Sequence, residues 1–145
     1  MFDKILYPTD FSDVAGKGLD FVERLQEAGT REVVILHVID HHKFEILAVH
    51  DSEFRAKEIE ESIEKMSLEK MNQIADRLKN KGMNVKIRLE KGTPFCEILR
   101  VADEENVSAI VVGSHGISNV AEMLLGSVSE KVIRKSKKTV LVVKR

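Results

Sequence analysis

The chain has no tryptophan, one tyrosine, one cysteine and two prolines in 145 residues. A lone Cys96 cannot form an internal disulfide, which sets aside the small secreted scaffolds held by such bonds. One tyrosine and no tryptophan leave little on which to stack single-stranded bases. Positive charge is not in excess either. Twenty-three basic residues face 24 acidic ones, net −1, so the sequence lacks the basic footprint of a nucleic-acid binder. No apolar run approaches membrane-spanning length and no leader-type stretch opens the chain. The expectation is a cytoplasmic protein with neither membrane nor nucleic acid as partner. The apolar fraction of 43% and charged fraction of 32% describe one globular domain over residues 1–145, long enough to bury a core.

Two phosphate-binding signatures are also missing. No Gly-x4-Gly-Lys-Ser/Thr loop occurs. The dinucleotide pattern Gly-x-Gly-x-x-Gly fails because Gly16 and Gly18 lie within a helical pattern and Phe21 stands where the third glycine belongs. The glycines that stand out lie near the end. Ser108-Ala109-Ile110-Val111-Val112 reads as a strand ending at Gly113, followed by Gly113-Ser114-His115-Gly116, nine residues, then Gly126-Ser127-Val128-Ser129. Ser127 to Glu130 reads as a capping box with Ser127 as N-cap. Glycine corners permit positive φ and close ligand approach, and the Val128 and Ser129 N–H groups fall at the positive end of a helix. By its chemistry the arrangement reads equally as a phosphate cradle or as an ordinary strand–loop–helix connection with glycines for its turns. With its spacing of Gly-x2-Gly-x9-Gly-Ser, it resembles the nucleotide-binding signature of the universal stress protein family.

The remaining chain supplies the scaffold. Lys4 to Pro8 is a short strand stopped by Pro8. Ser12 is the expected N-cap of a first helix faced by Ala15, Leu19, Val22 and Leu25 and closed by Gly29. Glu32 to Val38 is an aliphatic second strand. Residues Ile39 to Phe54 hold His41, His42, His50, Asp40 and Asp51 without metal-ligand spacing, and read as a solvated loop or helical lead-in. From Arg55 to Lys81 the pattern is helical, with Ile59, Ile63, Met66, Met71, Ile74 and Leu78 assigned to packing. Asn84 to Leu89 alternates strictly, as a strand near a sheet edge does. Thr93 and Pro94 open a third helix whose inner face is Phe95, Ile98, Leu99 and Ala102. Ser127 to about Lys135 is the last helix and Thr139 to Val143 the last strand.

This βαβαβαβαβ succession implies a five-stranded parallel sheet with helices on both faces, flavodoxin-like or Rossmann-like, in the order 3-2-1-4-5, a near relative of 2-1-3-4-5. In either order the last strand is an edge. Its uncharged Val140-Leu141-Val142-Val143 invites pairing with a second copy, so a homodimer through Thr139–Val143 is expected.

Ligands of such sheets sit beyond the carboxyl ends of the strands where the order reverses, here between Pro8-Thr9-Asp10 and Gly113 to Gly116. A carboxylate there can accept bonds from a ribose diol, although Asp10 is also a competing cap for the first helix. The resemblance implies more. Asp10 matches the aspartate that closes the family's first strand, and Val38 the valine whose main chain reads adenine. Gly113 would lie against ribose; Gly116, Gly126, Ser127, Val128 and Ser129 would hold phosphates; His115 would reach a phosphate or point to solvent. ATP or a related adenine nucleotide, with Mg2+, is then the expected ligand. The expected role is a nucleotide-sensing module of the stress response, with slow ATP hydrolysis or a dimeric module without nucleotide as the alternatives. A receiver domain is disfavoured because the third strand ends in Glu90-Lys91 rather than a phospho-acceptor aspartate. An FMN-binding flavodoxin is disfavoured because stacking aromatics are lacking.

Overall fold

The structure is a computed structural model that describes residues 1–42, 45, 53–114 and 126–144, with residues 13–15 and 53–54 described by backbone alone. Its elements run β1 (Lys4–Pro8), α1 (Asp13–Leu25) continued by a 3-10 turn (Gln26–Ala28), β2 (Glu32–Asp40), α2 (Glu53–Asn80), β3 (Asn84–Gly92), α3 (Pro94–Glu104), β4 (Ala109–Gly113), α4 (Ser127–Lys135) and β5 (Thr139–Val143). All strand pairs are parallel and the order is β3-β2-β1-β4-β5, as the sequence implied.

The strands alternate side chains between two cores. Ile5, Tyr7, Val33, Ile35, Ala109 and Val111 face α1 and α2, meeting Leu19, Val22, Leu25, Met71, Ala75 and Leu78. Leu6, Val34, Leu36, Ile110 and Val112 face the other way, onto Ile98, Val101 and Ala102 of α3 and Val132 of α4. Each such aliphatic side chain contributes about 1.5–3 kcal/mol by leaving water. The three central strands, buried on both faces, therefore fix the register of everything laid over them. Close approach of α1 depends on Gly18, where a Cβ would stand 3.2 Å from Cε2 of buried Tyr7. Burial also pushes the Tyr7 phenol up to about 12.

Several details differ from the sequence reading. On α2 the buried positions are Ser67, Met71, Ala75 and Leu78, while Met66 is 55% exposed. Met66 is one step of roughly 100° off that stripe, so its apolarity misassigned the neighbour of the true core position. On α3 Val101 is buried beside the expected Ile98 and Ala102, while Leu99 is only half-buried. β2 continues two residues past Val38 to Asp40, paired with β3 as far as Gly92. Ile39 is accordingly core rather than the start of a loop.

At the amino edge of the sheet the Glu105 carboxylate is 9% exposed and held by Lys86 Nζ at 2.7 Å, Arg88 Nη1 at 3.0 Å and Lys4 Nζ at 3.3 Å. Lys86 above all, helped by Arg88 and Lys4, pulls its carboxyl down to about 2. No described helix is long and apolar enough to cross a membrane.

Candidate functional site

β1 and β4 pair through Ile5–Ala109 and Leu6–Ile110. Beyond these rungs they run on to Pro8 and Gly113 with no further pairing among the described residues. This is where the strand order reverses, and the opening between two parting strands is the usual ligand position in such sheets.

On the β4 side, Gly113 and Ser114 are tied directly to the start of α4. The Gly126 N–H donates to the Ser114 carbonyl at 2.5 Å, and the Ser129 hydroxyl donates to the Gly113 carbonyl at 2.5 Å. Buried Ser114 sends its own N–H to the Val143 carbonyl at 2.9 Å, which locks the turn to β5. The amino end of α4 is thereby set at the carboxyl end of β4.

The N-cap of α4 is Gly126 rather than Ser127, and it makes no side-chain cap bond. Ser127 is exposed and is the first residue of the helix. The first orphan amides are therefore those of Ser127, Val128 and Ser129, since the Glu130 N–H already closes on the Gly126 carbonyl at 2.9 Å. Gly126 has φ −71° and ψ 157°, ordinary extended backbone. A positive φ does not explain this glycine; glycine is a favourable N-cap, and it also leaves the first turn of α4 open to close approach. Ser129 also differs from expectation: its hydroxyl proton goes to Gly113, so only its main-chain N–H remains to be offered. Val128 is partly exposed on the first turn. His115 and Gly116, with the nine residues after them, lie outside the described residues, as do His50 and Asp51.

On the β1 side, Pro8 is half-buried and Thr9 buried. The Thr9 N–H donates to the Leu36 carbonyl at 2.8 Å, continuing the β1–β2 ladder. The chain then turns. The Thr9 Oγ1 accepts from the Phe11 N–H at 3.1 Å, and Asp10 Oδ1 accepts from the Ser12 N–H at 2.9 Å. Phe11 takes φ +63°, a left-handed conformation that costs a non-glycine residue roughly 1–2 kcal/mol. Its ring is held 4.4 Å from the His37 ring, with Lys70 Nζ 5.2 Å from its centroid. Asp10 thus stands on a turn fixed at both ends, and one of its oxygens orients the entry to α1.

Leu36 sends its carbonyl toward β1, so Val38, two residues on, presents its N–H and carbonyl at that same edge, beyond the last β1 rung. Among the described residues no acceptor takes the Val38 N–H. The natural one, the Thr9 carbonyl, instead receives a bond from His37 Nδ1 at 2.7 Å. Sequence reasoning passed over His37 and Phe11; the only signal was an imidazole interrupting an aliphatic strand.

The structure therefore gathers Pro8, Thr9, Asp10, Val38, Gly113, Gly126, Ser127, Val128 and Ser129 along one edge of the sheet. Among the described residues no three histidine, cysteine, aspartate or glutamate side chains cluster to hold a metal. His41 and His42 instead meet Glu45 at 2.9 and 3.7 Å on the surface. A depression of about 630 Å3 lined by Glu23, Gln73, Asp76, Arg77, Asn80 and Lys81 adjoins the last turns of α2, at the opposite edge of the sheet. Its Arg77 is already paired with Asp20 and Glu23.

Known proteins share this architecture. The universal stress protein MJ0577 of Methanocaldococcus jannaschii is 40% identical over all of this chain and 96% of its own length. A solved structure of MJ0577 superposes with a TM-score of 0.92 at 41% identity, covering 100% of this chain and 97% of that one. The Bacillus subtilis universal stress protein YxiE is 36% identical over 99% of this chain and all of its own. A universal stress protein solved in complex with cAMP superposes with a TM-score of 0.66 at 26% identity, covering 99% of this chain and 97% of that one. The model of the universal stress protein family matches residues 1–144. The chain belongs to the universal stress protein family.

Proposed function

We propose that this protein is a nucleotide-sensing module of the stress response that binds ATP between β1 and β4. The observation that carries the reading is the placement of the α4 amino end. Three orphan amides, those of Ser127, Val128 and Ser129, lie at the carboxyl end of β4 behind a residue without a side chain, Gly126. Amides at the positive end of a helix dipole favour a polyphosphate. The Val38 N–H, which has no acceptor among the described residues, supports an adenine at the β2 end, and Asp10 on the turn after β1 would accept from ribose hydroxyls. Gly113 would lie against the ribose, with Pro8 and Thr9 forming the adjoining wall. Gly116 and His115 join the phosphate set by the family's pattern. The relative solved with cAMP supports an adenine nucleotide as the ligand class. Mg2+ would travel with the phosphates, since the described residues supply no cluster of their own for it.

The role is binding rather than turnover, because apart from His115 and Asp10 the proposed set offers only main-chain amides and hydroxyls, and no lysine or arginine lies between Gly113 and Ser129. A multiple-turnover assay with Mg2+ is expected to give rates far below those of ordinary enzymes; ordinary rates abolished by Asp10→Ala would overturn this. We further propose a cytoplasmic homodimer through β5, whose Val140 to Val143 are only half-buried in the isolated chain. Cys96 is exposed and unpaired, which suits a reducing compartment. Titration calorimetry with ATP, ADP and AMP tests the central reading: saturable binding is expected, and no heat with any of them would refute it.

A further inference from the structure

We infer that His37 is the positioning residue that opens the adenine end of this site. The inference rests on the nucleotide reading above and concerns how that site selects its base. In a regular parallel ladder the Thr9 N–H bonds the Leu36 carbonyl and the next bond runs from the Val38 N–H to the Thr9 carbonyl. The first of these is present at 2.8 Å. The second is replaced: His37 Nδ1 lies 2.7 Å from the Thr9 carbonyl. A carbonyl only accepts, so Nδ1 carries the proton and donates. The imidazole of β2 thus reaches the Thr9 carbonyl, which among the described residues the Val38 N–H does not.

Two consequences follow from that exchange. The Val38 N–H stays at the switch-point edge with no acceptor among the described residues, available to a ligand atom. The turn Thr9 to Ser12 is also held against β2 by the imidazole, whose ring lies 4.4 Å from that of Phe11 in its left-handed conformation. A main-chain N–H donor suits adenine, which offers a bare ring nitrogen on its pairing edge, whereas guanine offers an N–H there. Loss of the His37 bond lets the ladder close onto Val38 and removes that discrimination. It leaves the α4 amides and their phosphates unchanged.

The test compares His37→Leu, which deletes the donor, with His37→Asn, whose amide nitrogen can occupy the Nδ1 position. Calorimetry with ATP and GTP is combined with amide hydrogen exchange on the ligand-free protein. The wild type is expected to prefer ATP over GTP by about tenfold or more, the worth of one hydrogen bond gained or clashed. The preference should collapse in His37→Leu and return in His37→Asn. The ligand-free Val38 amide should exchange faster than the Leu36 amide in wild type and slow down in His37→Leu. A purely structural role would instead weaken both nucleotides equally and leave the ratio intact. An unchanged ATP-to-GTP ratio in His37→Leu, or a wild-type Val38 amide as protected as that of Leu36, overturns the inference. A wild type that binds no nucleotide refutes the nucleotide reading instead, and the exchange comparison still decides whether His37 interrupts the ladder.

Discussion

The Ser129 hydroxyl donates to the Gly113 carbonyl at 2.5 Å, joining the third residue of α4 to the last residue of β4. That bond, with the one from Gly126 to Ser114, aims the helix at the opening beside β1. Ser129→Ala should therefore cost about 1 kcal/mol of stability, the usual worth of a hydrogen bond from a buried hydroxyl to a half-buried carbonyl. Ser127→Ala should change stability by less than about 0.5 kcal/mol, because Ser127 is exposed and caps nothing. Urea unfolding followed by circular dichroism separates the two, and equal effects would contradict the assignment of Gly126 as N-cap.

The helix assignment shows what could be read in the residues alone. Glycine spacing marked the segment from Gly113 to Ser129 through its resemblance to the family's signature; by their chemistry alone these glycines fit an ordinary strand–loop–helix connection equally well. Which residue serves as cap depends on where the chain leaves β4. Ser127 and Gly126 are both good N-caps by type, so sequence could not choose between them. Strict alternation marked β3 as an edge, whereas doubly apolar β5 reads like an inner strand, and its edge position followed only from the βαβ succession and a flavodoxin-like order. Met66 and Ser67 were not legible, since one residue of helical phase separates exposure from burial. His37 was hidden for a different reason. Its role is set by a strand that stops one rung early, a tertiary event with no local pattern.

Two glycines of α1 make opposite predictions. Among the described residues nothing stands within 4 Å of a Cβ placed on Gly16, so Gly16→Ala should stabilise by about 0.5–1 kcal/mol through helix propensity. Gly18→Val should destabilise by about 1–3 kcal/mol, because its side chain meets the Tyr7 ring across the core. Thermal unfolding of both variants checks the pair; stabilisation at both positions would mean that α1 has room to move off β1.

Acid should unfold the protein partly through Glu105. Its carboxyl is depressed from an ordinary 4.5 to about 2 by Lys86, Arg88 and Lys4. The folded state therefore binds this proton less readily than the unfolded chain. The stabilisation is complete above the ordinary value and is lost as pH falls from about 5 toward about 2. Glu105→Gln should cost about 2 kcal/mol near neutrality, a figure kept below full linkage because Lys86 is 60% exposed and screened. It should also flatten the acid limb of the stability curve. An unchanged slope between pH 5 and 2 would remove Glu105 from the account.

The proposed dimer can be tested at β5 without disturbing β4. The Val143 carbonyl faces inward, accepting from Ser114, so the main-chain groups of Val140 and Val142 face the open edge. Val142→Pro removes one outward N–H at a position where an edge strand tolerates proline. Sedimentation should show the wild type as a dimer and this variant as a folded monomer. Identical sedimentation of the two would place the interface elsewhere.

The most direct test of the phosphate cradle is calorimetric titration of ATP into Gly126→Val beside the wild type. Gly126 sits in extended backbone that valine adopts without strain, at the cost of about 1 kcal/mol in capping. The fold should survive while the side chain blocks the approach to the Ser127, Val128 and Ser129 amides. Strong binding by wild type and its loss in a folded Gly126→Val is the expected result; equal affinity for ATP in both proteins would contradict it.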